Sequence, residues 1–291
     1  MRIVSLLPAA SEIVSALGLC DALVGRSHEC DYPPELVDLP ALTRSRVDSS
    51  LPSDRLDAEV RRVISEGPIY SLDEEQLAAL APDVVVTQEA CAVCAVSYEQ
   101  VVDSLRRGAC RAQVVCLRPS RLGDVIGDVR RVAEACGVAR RGESFAAELS
   151  GRLAALAARV RPPRPRVAVL EWLAPPMLAG HWVPELIEAA GGMALGATPG
   201  EPSPYVAWDA VHALAPDAVV VAPCGFDLGR TLAEAQPVAS RLRSLAPRIL
   251  LMDGNAYMNR PGPRLVDAAD AIAGWLRGGD VPTNVGMSLP T

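Results

Sequence analysis

Short apolar runs alternate along the chain with stretches whose apolar residues recur at helical spacing. The runs at 3–7, 22–25, 84–87, 113–117, 166–171, 218–222 and 249–252 are rich in Val, Ile and Leu. They lack the apolar–polar alternation of a half-exposed strand, which is the pattern of parallel strands buried on both faces. Helical patterns lie between them, so the fold class is α/β. The first run is followed by Pro8 and by Ser11, a polar residue placed to cap an amphipathic helix.

The pattern repeats once. ALAPDVVVTQEAC ending at Cys91 echoes ALAPDAVVVAPC ending at Cys224, and RIVSLL near the start echoes RVAVLE from Arg166. A twofold echo of this kind predicts two similar α/β lobes. Between the halves, Phe145, Leu149, Leu153 and Leu156 recur at helical spacing before RPPRPR, which cannot continue a helix. The expected organisation is an N-terminal lobe over 1–138, a connecting helix over 139–161 and a C-terminal lobe over 162–291. A stiff helical connection predicts little closure when ligand binds. The last segment, 280–291, has no periodicity and is expected to lie loosely on the surface.

Composition narrows the functions available. The chain has 291 residues and a formal net charge of -7, with no strong basic block, so nucleic-acid binding is not expected. All 28 basic residues are Arg, which excludes a Schiff-base lysine and the lysine of a phosphate-binding loop. No run of about 18 apolar residues is present to span a membrane. The chain enters its first strand at once, without the segments of a signal peptide, so a cytoplasmic location is expected. Thiols are kept reduced there, and the eight cysteines need not form disulfides.

The opening RIVSLLPAASEIVSALGLCDALVGRSHECDYP resembles the start of a class III periplasmic binding protein. It is similar more narrowly to the cobalamin- and siderophore-binding branch, including relatives of cytosolic appearance. LAPDVVVTQEACAVCAV, AGHWVPELIEAAGG, VVVAPCGF and DGNAYMNRPGPRLVD extend the resemblance over nearly the whole chain, and HECDYP and the CxxC loop mark a subgroup. The resemblance implies two Rossmann-like lobes, a long rigid helix joining them, and a cobalamin-like corrinoid or other metal chelate held in a cleft between the lobes. Relatives of this kind serve ABC transporters as substrate-binding proteins. Docking outside the membrane does not follow for a chain without an export signal.

In α/β sheets ligands sit beyond the carboxyl ends of strands. His28, Cys30, Cys91, Cys94, His181 and Cys224 all fall in segments that follow expected strands, as do Glu171, Asp253, Tyr257 and Arg260. Cys91 and Cys94 form a CxxC pair, compatible with a disulfide, a redox centre, half a metal site or packing. With His28, Cys30 and Cys224 they would make a thiolate–imidazole cluster of the kind that selects zinc, copper(I) or an iron–sulfur cluster. Glu171, Trp172, His181, Trp182, Trp208, Tyr257 and Arg260 are the candidates for an organic ligand. Aromatic faces can cover a flat macrocycle, a neutral imidazole can bind its metal, and Arg can pair with a carboxylate or phosphate. Cys20, Cys110, Cys116, Cys136 and His212 read as packing residues. The alternative is a metal- or thiol-dependent enzyme on the same fold, with Glu29 or Glu171 as acid–base group and a cysteine activated by His28 or His181.

Overall fold

Unit one of the computed structural model comprises residues 1–51, 55–119 and 124–148, and unit two comprises 52–54, 120–123 and 149–291. The residues described are 1–89, 96–108 and 110–290. Unit one carries β1 (Ile3–Ser5), α1 (Pro8–Ala16), β2 (Leu23–Arg26), β3 (Thr43–Ser45), α2 (Ser53–Glu66), β4 (Tyr70–Leu72) and α3 (Glu74–Leu80). It continues through β5 (Val84–Gln88), α4 (Tyr98–Arg107), β6 (Gln113–Leu117), α5 (Leu122–Ala135) and the start of α6 (Ala139–Ala157), the first two residues of α2 and of α5 being counted with unit two. Its main sheet has the order β2-β1-β5-β6, every pair parallel. Both β1 and β5 are buried throughout, as their unbroken apolar runs require. A second, antiparallel pair, β3 with β4, sets Ser45 beside Tyr70 and Thr43 beside Leu72.

Local sequence explains the helix starts. Pro8 opens α1, where a missing N–H costs nothing, and no side chain caps the helix. Ser11 therefore does not cap; its Oγ meets Ser5 Oγ at 2.9 Å inside the core. Ser97 and Gln100 form a reciprocal capping box on α4.

Unit two continues with β7 (Arg166–Leu173), β8 (Pro176–Leu178), α7 (Val183–Ala189), β9 (Met193–Ala194), α8 (Trp208–Ala213) and β10 (Ala218–Val221). Then follow α9 (Leu228–Ala235), α10 (Ala239–Leu245), β11 (Arg248–Met252), α11 (Leu265–Leu276) and β12 (Gly286–Ser288). The sheet order is β12-β11-β10-β7-β8, with β9 also on β7. β7, β10 and β11 run parallel, whereas β8 and β12 are antiparallel to their neighbours. The C-terminal segment is not loose: β12 pairs Met287 with Leu251, and Val285 beside it is 4% exposed. Its few apolar residues are spent on covering the open edge of β11.

The sequence echo has a physical basis. In each unit a helix ends on an alanine in the left-handed conformation, Ala81 (φ 41) and Ala215 (φ 45). The Pro-Asp step that follows turns the chain into a strand. Asp83 accepts from the Arg2 backbone N–H at 2.7 Å, and Asp217 from that of Arg166 at 2.8 Å. The same arginines return their guanidinium groups to the last helical carbonyls, Leu80 O at 2.7 Å and Leu214 O at 2.6 Å. One clamp thus closes the helix and fixes the start of the neighbouring strand, twice.

In α6, residues 139–148 belong to unit one and 149–157 to unit two. Leu149, Leu153 and Leu156 are buried as the periodicity predicts, but Phe145 is half-buried and Ala146 takes the core position. On α5, Asp128 is out of water, with Oδ1 accepting from Arg131 and no partner for Oδ2 among the described residues. Burial, aided by the charge of Asp124 and opposed by Arg131, pushes its carboxyl up to about 7. No helix among the described residues is long and apolar enough to cross a membrane.

Candidate functional site

The chain leaves the carboxyl end of β2 at Arg26 and turns through Ser27, His28, Glu29 and Cys30. Arg26 pins this turn from within, donating to Ser27 O at 3.0 Å and Val37 O at 2.8 Å. Thr43, on β3 and 2% exposed, holds His28 at two points: its Oγ1 lies 3.0 Å from the His28 backbone N–H and 2.7 Å from Nδ1. The Thr43 hydroxyl proton is directed to Ser27 Oγ at 3.0 Å. Thr43 must then accept from the ring, which puts the proton on Nδ1 and the lone pair on Nε2. Burial, reinforced by the charge of Arg26, lowers the His28 pKa and favours the neutral ring. Tyr70, on β4, donates to Glu29 Oε1 at 3.1 Å, and its ring centre lies 5.6 Å from that of His28. Glu29 Oε1 is 3.9 Å from His28 Nε2.

Part of the expected metal cluster falls at this turn. Cys30 is 1% exposed and directs its sulfur at Ser5 O, 3.9 Å away, into the end of the sheet. Cys91 and Cys94 lie outside the described residues. Among the described residues no group of three or more His, Cys, Asp or Glu side chains is placed to hold a metal ion. Ser27, Thr43 and Tyr70 escaped the sequence reading. The runs ALTRSR and PIYSLD that carry Thr43 and Tyr70 hold β-formers, but too few for a strand signal.

In unit two the carboxyl ends of β7, β10 and β11 bring three loops together. The Cys224 N–H donates to Glu171 O at 3.0 Å, and Asn255 N–H to Phe226 O at 3.0 Å. Gly254 is required by this approach, because a Cβ there would lie 2.2 Å from Pro223 O. Trp172 meets Phe226 with ring centres 5.0 Å apart, and the Arg230 guanidinium covers Phe226 at 3.6 Å. Arg260, 5% exposed, donates to Asn255 Oδ1 at 3.2 Å. Tyr257 is 9% exposed and accepts from Asn284 at 2.9 Å. Asp253 accepts from the Ala256 N–H at 2.7 Å, and burial pushes its carboxyl up against the pull of Arg260 and Arg264. Cys224 is exposed.

The remaining candidates lie elsewhere in the unit. β8 runs back along β7 until Ala179 N–H reaches Val169 O, so His181 follows it away from the edge that carries Glu171 and Cys224. His181 has φ 51 and is held by backbone bonds to Glu201 O and from Gly200 N–H. Its ring stacks on Trp182 at 5.7 Å, and burial lowers its pKa. Trp182 is buried and donates to Met258 O at 2.9 Å. Trp208 starts α8 and packs against the core beneath α10. The tryptophans are thus placed largely by packing, the role that their size favours.

Comparison with known proteins gives this geometry a lineage. Residues 3–244 match the family described as periplasmic binding protein. This chain belongs to that family. A vitamin B12-binding protein of Vibrio cholerae serotype O1 is 22% identical over 279 residues, covering 95% of this chain and 89% of its own. Among solved structures, the periplasmic heme-binding protein RhuT from Roseiflexus sp. RS-1 aligns with a TM-score of 0.69 and 24% identity, over 94% of this chain and 97% of its own. The periplasmic heme-binding protein HutB of Vibrio cholerae gives 0.72 and 18%, over 95% and 98%. Both share the periplasmic binding protein fold. The expected cytoplasmic location is corrected by this family, whose members here are periplasmic proteins, and the relatives point to the periplasm.

Proposed function

We propose that this chain binds a flat metal chelate, a cobalamin-like corrinoid first among the candidates, and releases it unchanged. The observation that carries this reading is the relationship over 95% of the chain to a protein named for vitamin B12. Solved structures of the same fold carry heme-binding titles, and heme is a second flat macrocycle around a metal. The strand ends support the reading with chemistry of the right kind. Unit one offers an imidazole, a carboxylate and a phenol; unit two offers the guanidinium of Arg230, seated over the buried Phe226, and Arg260 beside it at the strand ends. Ligand sites of this class combine apolar faces with few polar anchors.

Equilibrium dialysis against cyanocobalamin, aquocobinamide and hemin tests the proposal. Saturable one-to-one retention of a corrinoid, recovered chemically unaltered, is expected. Retention of none of the three chelates overturns it.

A further inference from the structure

We propose that His28 Nε2 is an axial ligand to the metal of the bound chelate, with Thr43 positioning the ring. This rests on the chelate-binding reading and adds to it a residue, an atom and a bond.

The first observation is the anchoring of the ring. Nδ1 and the backbone N–H of His28 both meet Thr43 Oγ1, at 2.7 and 3.0 Å, so ring plane and tautomer are set together. Metal-binding imidazoles are generally built this way, with the remote nitrogen held by a second group. The second is the surroundings of Nε2. The Glu29 carboxylate stands 3.9 Å away, too far for a hydrogen bond but close enough to balance the charge of a metal, and Tyr70 holds that carboxylate at 3.1 Å.

The third point is the kind of metal that one imidazole suits. His28 presents a single nitrogen lone pair at Nε2, which suits a metal whose other positions are already filled. A corrin or porphyrin fills four in its plane and leaves the axial ones. The Nε2 lone pair then replaces one axial water on the metal. No proton is released, because Nε2 carries none in this tautomer.

Aquocobinamide is the probe, since water occupies both axial positions and no tethered base competes. With the full chain near neutral pH, the visible band of the corrin is expected to move to longer wavelength on binding. His28→Ala should abolish the shift and weaken binding about 10-fold or more. Added imidazole should restore the shift in that variant. Thr43→Val should keep the shift while weakening binding about 10-fold, the cost typical of removing a group that orients a metal-bound imidazole. With cobalt reduced to the divalent state, the wild-type complex should show the triplet electron-spin splitting of one axial nitrogen, a readout that needs no variant. A shift that survives in folded His28→Ala, or that disappears instead in His181→Ala, overturns the assignment. So does a wild-type complex with only oxygen on the axis. Failure to retain aquocobinamide at all sinks the chelate-binding reading, whereas retention without nitrogen ligation sinks the axial bond alone.

Discussion

Asp128 shows what burial does to one side chain. With its carboxyl raised to about 7, the folded protein holds a proton there that the unfolded chain releases near the ordinary aspartate value of about 4. Stability therefore falls as pH rises through that window, and the loss is complete above about 7. Asp128→Asn should stabilise the protein by on the order of 2–4 kcal/mol at pH 8 and change little at pH 4, measured by urea unfolding. Equal effects at both pH values would contradict this account. His28 runs the other way: its lowered pKa makes stability fall as pH drops below about 6.5 and on through the folded value. His28 could be singled out in the sequence as a candidate because it follows a strand end. Cys30 lies in the same turn, with its sulfur 3.9 Å from Ser5 O. The partners Thr43 and Tyr70 reach His28 and Glu29 only through the pairing of β3 with β4, which no local pattern encodes.

At the scale of elements, the Ala-Pro-Asp turns were visible as a repeated word, and the structure shows its purpose. Asp83→Ala and Asp217→Ala each remove one acceptor from a strand-opening N–H. Each should cost roughly 0.5–1.5 kcal/mol, and the double variant should cost about the sum, since the two clamps lie in separate units. Chemical unfolding of the four proteins checks it, and strong coupling would show that the clamps are not independent. Gly254→Ala should be costlier, about 1–3 kcal/mol, because its new carbon would press on the Pro223 carbonyl rather than on a movable side chain. The parallel strands were legible from their unbroken apolar runs. β8 and β12 were not, since each is only three residues long and takes its place from the edge it covers.

At the scale of the whole chain, alternating strands and helices and the internal echo carried the fold class and its duplication. Location was not legible: RIVSLL forms β1 in any compartment, and packing inside a sheet does not record the solvent beyond it. Ligand binding should be visible in the stability of the full chain. At a corrinoid concentration 100 times Kd, the folded state gains about 2.7 kcal/mol, a rise of several degrees in Tm. An unchanged Tm under those conditions would argue that the corrinoid is not bound by the folded protein.

All four tryptophans, Trp172, Trp182, Trp208 and Trp275, belong to unit two. Indole emission is therefore an optical channel into that unit alone, while far-ultraviolet dichroism sums both. The stack of Trp182 on His181 makes the channel sensitive to acid, because a protonated imidazole quenches a neighbouring indole and a neutral one does so weakly. Emission should hold steady near neutral pH and dim as pH falls below the ordinary histidine value, because burial lowers the His181 pKa. The dimming should vanish in His181→Gln.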